Sequence, residues 1–299
     1  MTFVKKQKGR DITNSGSFVV PVTPFLLLLL LMVCTGGSSA QDMGTIQTNI
    51  ASGNVELVRN ALFQVKVLHT EAASRLAMPA LSSPNEIVRA TAADAVIFLP
   101  KLEAVQALTP LLGDKAEFVR TEAAHALGEV RDPSAATPLI GTLENDKSRV
   151  VKAAAAHSLG RSGNIAAVDP LARVLRSSPN EDNEFLRRSA AHAIGRIAES
   201  QANQKPTTTT PENFLPDKYK NGYLANPPKP SPELRGAIGV LSKVLQNKNE
   251  ADDTRREAAF ALGSIGDPTA APLLRSYLNT PDNYLAEICK EALLKLATK

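Results

Sequence analysis

From about residue 44 onward the apolar positions recur at helical spacing, and no stretch sustains the period-two alternation of a half-buried strand. In one segment Val119, Ala123, Ala126, Leu127 and Val130 fall at i, i+4, i+7, i+8 and i+11, which is one face of a helix. The pattern repeats. A short block returns at Val58-Arg59, Val88-Arg89, Val119-Arg120, Val151-Lys152, Leu186-Arg187, Thr254-Arg255 and Cys289-Lys290, at intervals of 30, 31, 32, 35, 68 and 35 residues. The doubled interval contains residues 201–231, a different kind of sequence. A second apolar segment precedes each block, often with a central proline such as Pro110, Pro138, Pro170 or Pro272. The spacing predicts seven helical pairs, over 44–68, 70–98, 101–130, 132–162, 164–199, 231–265 and 267–297.

Local chemistry marks the ends of these segments. At Asp132-Pro133 and Asp267-Pro268 the carboxylate can cap a helix whose first position suits proline. Gly128, Gly160, Gly195 and Gly263 recur near the ends of the second helices, which predicts close helix contact or early termination there. One pair cannot cover its own apolar face. Each repeat therefore has to be stabilised by its neighbours, and alanine-rich faces let the helices approach closely.

The recurring block, its alanine-rich continuation and the terminal glycine resemble HEAT repeats, of the short kind called phycobilisome-lyase HEAT-like repeats, over residues 44–299. The resemblance implies an all-α, right-handed α-solenoid of about seven helical hairpins, with the second helices lining the concave face. It also implies an acidic residue six positions before the block's basic residue, joining a ladder between repeats. Asp114/Arg120, Asp146/Lys152 and Glu181/Arg187 match that pattern, whereas Arg59, Arg89, Arg255 and Lys290 depart from it. Deoxyhypusine hydroxylase is a HEAT-like relative whose di-iron site uses His-Glu dipeptides early in the second helices. Thr121-Glu122, Ala153-Ala154, Arg188-Ser189 and Arg256-Glu257 stand at those places, so the resemblance does not carry the metal site with it.

Candidate chemistry is sparse. His125, His157 and His192 each lie six residues after the block's Val or Leu, and the equivalent places elsewhere hold Gln64, Asp94, Phe260 and Lys295. On the helical wheel this column points away from the core, as an exposed polar binding face would. Helices packed about 8–10 Å apart bring two imidazoles to one ion only with further ligands, and the positions four residues earlier, Thr121, Ala153 and Arg188, supply none. The chain contains no nucleophile elbow, Gly-rich phosphate loop, Cys-X-X-Cys or paired catalytic acids, so neither a catalytic set nor a cofactor is expected. Cys289, in the block's apolar place, reads as a small buried hydrophobe.

Charge and composition refine this picture. The formal charge of +4 is concentrated in the leader, which carries Lys5, Lys6, Lys8 and Arg10 against Asp11; from Gln41 onward 30 basic residues face 29 acidic ones. With aromatics at 4% and no Trp, a nucleic-acid stacking platform is not expected. The basic start, the apolar run with six consecutive leucines at Leu26–Leu31 and the small residues Ser38 and Ala40 predict a signal peptide over 1–40, cleaved before Gln41. Retained, residues 18–34 would form a short membrane anchor. Residues 201–231 carry six prolines and four consecutive threonines, with Phe214, Tyr219 and Tyr223 among lysines, and read as a loop: a solvated or loosely packed insertion, an arm in contact with a partner, or a strap over its own solenoid. These features together predict an exported, non-enzymatic scaffold, periplasmic or extracellular in a bacterium. It would bind a protein or peptide through His125, His157, His192, Phe260, Phe214, Tyr219 and Tyr223. The alternative is a bilin-lyase-like or oxidoreductase-like enzyme, or a membrane-anchored structural protein.

Overall fold

The computed structural model describes residues 42–203 and 230–297. The proposed leader, and Phe214, Tyr219 and Tyr223 of the insertion, lie outside the described residues. The chain divides into Met1–Thr45 and Ile46–Lys299, and the repeats belong to the second unit. All regular structure among the described residues is helical. The helices are α1 (42–51), α2 (Val55–Leu68), α3 (Glu71–Ala77), α4 (Glu86–Ala95), α5 (Lys101–Leu108), α6 (Glu117–Val130) and α7 (Ala136–Asn145). They continue with α8 (Arg149–Ser162), α9 (Val168–Arg176), α10 (Glu184–Asn203), α11 (Pro232–Gln246), α12 (Asp252–Ile265), α13 (Ala271–Ser276) and α14 (Asn283–Ala297). Odd-numbered helices are the first members of the predicted pairs and even-numbered helices the second, so the chain is an α-solenoid.

Short polar side chains start the helices. Asn54 accepts from the backbone N–H groups of Glu56 and Leu57, Asn85 from those of Ile87 and Val88, and Ser148 from that of Val151, each satisfying donors that a helix leaves open. Asp132 and Asp267 cap short 3-10 turns that begin with proline and run into α7 and α13. Proline also sets the form of the first helices. Pro79 and Pro110 come after α3 and α5 have formed and convert their ends to 3-10 turns at Met78–Ser82 and Thr109–Gly113. Pro138 and Pro170 fall within the first turn of α7 and α9, where no intrahelical N–H is lost, and those helices continue unbroken.

The even-numbered helices pack on one another through alanine and glycine. In α6 the predicted face is sealed, with Val119, Ala123, Ala126, Leu127 and Val130 all at most 5% exposed. The glycines mark contact, not termination, since the helices run past them to Val130, Ser162, Asn203 and Ile265. A Cβ on Gly160 would lie 2.8 Å from the Ala193 Cα, and one on Gly263 would lie 2.6 Å from the Ala292 Cα. At Gly128 the obstruction is Ser158, and at Gly195 it is Phe260 and Ala261.

An arginine ladder fastens the turns. Arg89 donates to both carboxylate oxygens of Asp114 at 2.7 and 2.8 Å, and Arg120 to those of Asp146 at 2.7 and 3.1 Å. Each guanidinium also reaches carbonyls in its own repeat's turn: Arg89 those of Ser83 and Pro84, Arg120 those of Asp114 and Lys115. Arg187 bonds in the same way to Glu250 and to the carbonyls of Leu175 and Ser177. Asp114 and Asp146 each take the arginine of the preceding repeat, as a ladder between repeats requires, and Arg89 joins it although no acid precedes it at that spacing. Lys152 leaves the ladder and donates to the Glu144 carbonyl. The Arg89 guanidinium holds the Asp114 carboxyl below the usual carboxylate range.

The last repeat is registered one helical turn earlier than its sequence block implied. Gly128 and Gly160 face residues seven positions after Val151 and Leu186, namely Ser158 and Ala193. Gly263 faces Ala292, seven positions after Leu285, so Leu285 and not Cys289 takes the Val place, and Glu291 rather than Lys295 is equivalent to the histidines. Arg256, not Arg255, supplies the ladder there, donating to Asp282 at 3.1 and 3.0 Å. Cys289 is nonetheless fully buried, and removal from water raises its thiol to about 11, which keeps it protonated.

Two substitutions test this packing. Gly160→Ala and Gly263→Ala place a methyl against backbone that cannot rotate away. Each is expected to lower the unfolding free energy by about 1–3 kcal/mol in urea titrations, against the roughly 1 kcal/mol that alanine gains in an open helix. Glu250→Ala strands the Arg187 guanidinium, whose side chain is 2% exposed, and is expected to cost about 3–5 kcal/mol in the same measurement.

Candidate functional site

The sixth position after the block's apolar residue brings its side chains into a row across the even-numbered helices. The ring centroids of His125 and His157 lie 6.3 Å apart, His157 and His192 6.2 Å, and His192 and Phe260 5.7 Å; the last two pairs are stacked. Lys295 extends the row one turn beyond its equivalent place, with Nζ 5.0 Å from the centre of the Phe260 ring and 3.0 Å from Glu199. Phe260 thus joins the histidines, though they are separated in sequence by residues 204–229. The stacking follows from the glycine contacts beneath it: Gly195 admits Phe260 and Ala261, which sets the Phe260 ring over His192.

Three cavities open on this row, and two of them are lined by both His192 and Glu257. One, of about 250 Å³, is lined by His192, Arg256, Glu257, Phe260, Ile288, Glu291, Ala292 and Lys295. The other, of about 590 Å³, includes His125, Val150, His157, Phe185, Arg188 and Asp253, and shares His192, Arg256, Glu257 and Ile288 with the first. His192 stands at their common wall, and its Nδ1 lies 2.9 Å from Glu257 Oε2. Glu257 was missed in the sequence. It lies 65 residues from His192 and occupies the column three positions before Phe260, one helical turn earlier, whereas only the column four positions earlier was considered as a source of ligands for the histidines. That neighbouring column, which holds Glu122 and Glu257, was the available signal.

Removal from water pushes the His157 imidazole below its ordinary value of 6.5, and repulsion from the neighbouring His192 and His125 adds to the effect. A ring with this shift is neutral near pH 7. The row is also the wrong shape for a tight metal shell. Among the described residues no group of three or more His, Cys, Asp and Glu is placed to hold a metal ion. The imidazoles stack face to face or edge on, and His192 has the Glu257 carboxylate beside it. The residues present therefore do not fit a di-iron centre.

Stacked helical hairpins, close glycine contacts and the arginine ladder define a helical-repeat protein. The chain belongs to the HEAT-repeat family: the HEAT repeats model matches residues 74–160 and 228–294, half of its length. It is 43% identical over 60 residues to deoxyhypusine hydroxylase of Rattus norvegicus, a stretch that covers 20% of either chain, so it spans about a fifth of the length of the curated relatives it matches. Among solved structures an engineered protein aligns over 90% of this chain and 70% of its own, with a TM-score of 0.51 and 18% identity, which shows the shared solenoid fold. The complex of CpcE and CpcF of phycocyanin lyase from Nostoc aligns over 84% of this chain and 86% of its own, at 22% identity and a TM-score of 0.45. The match to deoxyhypusine hydroxylase corrects the expectation of a non-enzymatic scaffold, because the curated proteins that this chain resembles in sequence are enzymes. No helix among the described residues is long and apolar enough to cross a membrane.

The His157 shift sets an acid limit on stability. Because its folded value is depressed, the unfolded chain takes up the proton first. The contribution is complete above about pH 6.5 and is lost as pH falls below it toward the folded value. Thermal melts between pH 5 and 8 are expected to show lower stability on the acid side, and His157→Gln should flatten that slope; an unchanged slope would contradict the shift.

Proposed function

We propose that this HEAT-repeat chain is an enzyme that acts on an amine-bearing side chain of a partner polypeptide, with His192 and Glu257 as its acid–base pair. The observation that carries this reading is their 2.9 Å contact at the wall shared by both cavities. Glu257 orients the imidazole through Nδ1, leaving Nε2 to exchange a proton with a bound group. The smaller cavity suits an aliphatic chain ending in an amine: Phe260 and Ile288 offer apolar wall, and Glu257 and Glu291 offer charge. The Lys295 ammonium lying over Phe260 is a built-in example of the same contact. The relatives support the substrate class, since deoxyhypusine is a lysine-derived residue ending in an amine. They do not carry their metal chemistry across, and no step here passes through iron.

The test uses the full chain and two synthetic peptides, one carrying deoxyhypusine and one carrying norleucine at the same position. The deoxyhypusine peptide is expected to bind about tenfold more tightly, the equivalent of one ammonium contact in a partly dry site. Glu257→Gln should lower that preference severalfold at an unchanged melting temperature. Equal affinity for the two peptides, or a preference unaffected by Glu257→Gln, would contradict the reading.

A further inference from the structure

The first turns of the even-numbered helices carry a row that the site does not explain. Leu57, Ile87, Phe118, Val150, Phe185 and Tyr284 each stand immediately before the buried residue that begins the core face, and they are 41–74% exposed. A single exposed apolar side chain needs no account, but the same place left apolar and in solvent in six of seven repeats does, in a chain with only 4% aromatic residues. Only the sixth repeat departs from it, with Asp253. An acid precedes the apolar residue in four of these repeats: Glu56, Glu86, Glu117 and Glu184, all exposed. Such acids suit the positive end of a helix. The apolar residues beside them gain nothing there.

Charge and continuity point to one occupant. Alternating carboxylates and apolar side chains complement a basic, apolar segment. The ring of Phe185 already takes a cation, with the Arg188 guanidinium 5.2 Å from its centre, and Tyr284 holds Arg256 at the same distance. Val150 and Phe185 also line the 590 Å³ cavity that His192 and Glu257 border, so the row leads into the candidate site. Helices packed about 8–10 Å apart match three residues of extended chain, about 10 Å.

We propose that Leu57, Ile87, Phe118, Val150 and Phe185, with the neighbouring glutamates, form a track for an extended basic segment of the partner polypeptide that bears an apolar side chain at about every third residue. This deepens the reading of the groove as a site acting on a polypeptide, and rests on it. The track supplies most of the affinity and sets the register that places one side chain beside His192.

The test is fluorescence anisotropy of the full chain with a labelled peptide of repeated Leu-Lys-Lys triplets and two controls, one with Ser for Leu and one with Glu for Lys. The triplet peptide is expected to bind, with both controls at least about tenfold weaker. Phe118→Ser combined with Phe185→Ser should weaken it by a similar factor at an unchanged melting temperature. Should that variant melt early, the triple charge reversal Glu86→Lys, Glu117→Lys and Glu184→Lys provides the second arm, with preference moving to the Leu-Glu-Glu peptide. Equal binding of the Leu and Ser peptides, or no change of preference on charge reversal, overturns the track. The Phe118→Ser and Phe185→Ser variant should keep its preference for the deoxyhypusine peptide over the norleucine one, so loss of the track and failure of the amine site are read separately.

Discussion

Backbone contact between successive even-numbered helices is the constraint on which the remaining features depend. Gly160 against the Ala193 Cα and Gly263 against the Ala292 Cα leave no room for a methyl group, so neighbouring helices are fixed in height and rotation. A side chain one turn away on each helix then has a fixed neighbour. That is why His157 and His192 stack and why Phe260 closes over His192. Small residues lose the burial that leucine would supply, and the close approach returns it as dispersion contacts along whole helices.

Arg89, Arg120, Arg187 and Arg256 hold the opposite ends of their hairpins. A guanidinium that bonds to carbonyls in its own turn and to a carboxylate in the next repeat ties two turns at once, with little exposure of either charge. Such pairs add less net stability than their geometry suggests, because both ions leave water. Their effect is one of register. Arg187 reaches Glu250, which lies 63 residues further on, so the stacking of α10 on α12 continues the series although 204–229 intervene.

Much of the fold was legible because its signal is periodic. Helical faces, caps and the seven-pair count follow from spacing alone, and the glycines could be placed at contacts. What periodicity cannot fix is an offset of one turn, which keeps a residue on the same face: Cys289 and Leu285 are both buried, and only the neighbour at Gly263 decides which aligns with Val151. The ladder's pairing is set in a related way. Asp114 and Arg120 sit near each other in sequence, yet the bidentate partner of Asp114 is Arg89, a choice made by the stacking distance between repeats. Glu257 was hidden in the same way, since a contact across repeats leaves no mark on a single helix.

The site is thus a product of stacking: an imidazole, a carboxylate and an aromatic ring from two helices, brought together by a glycine that one of them lacks a side chain to obstruct. The direct measurement is a nuclear Overhauser experiment on the full chain with labelled histidine, phenylalanine and alanine. Cross-peaks between the His192 and Phe260 rings, and between the Gly160 Hα and Ala193 methyl protons, are the predicted result. Their absence in a folded, helical sample would contradict the stacking and the site built on it.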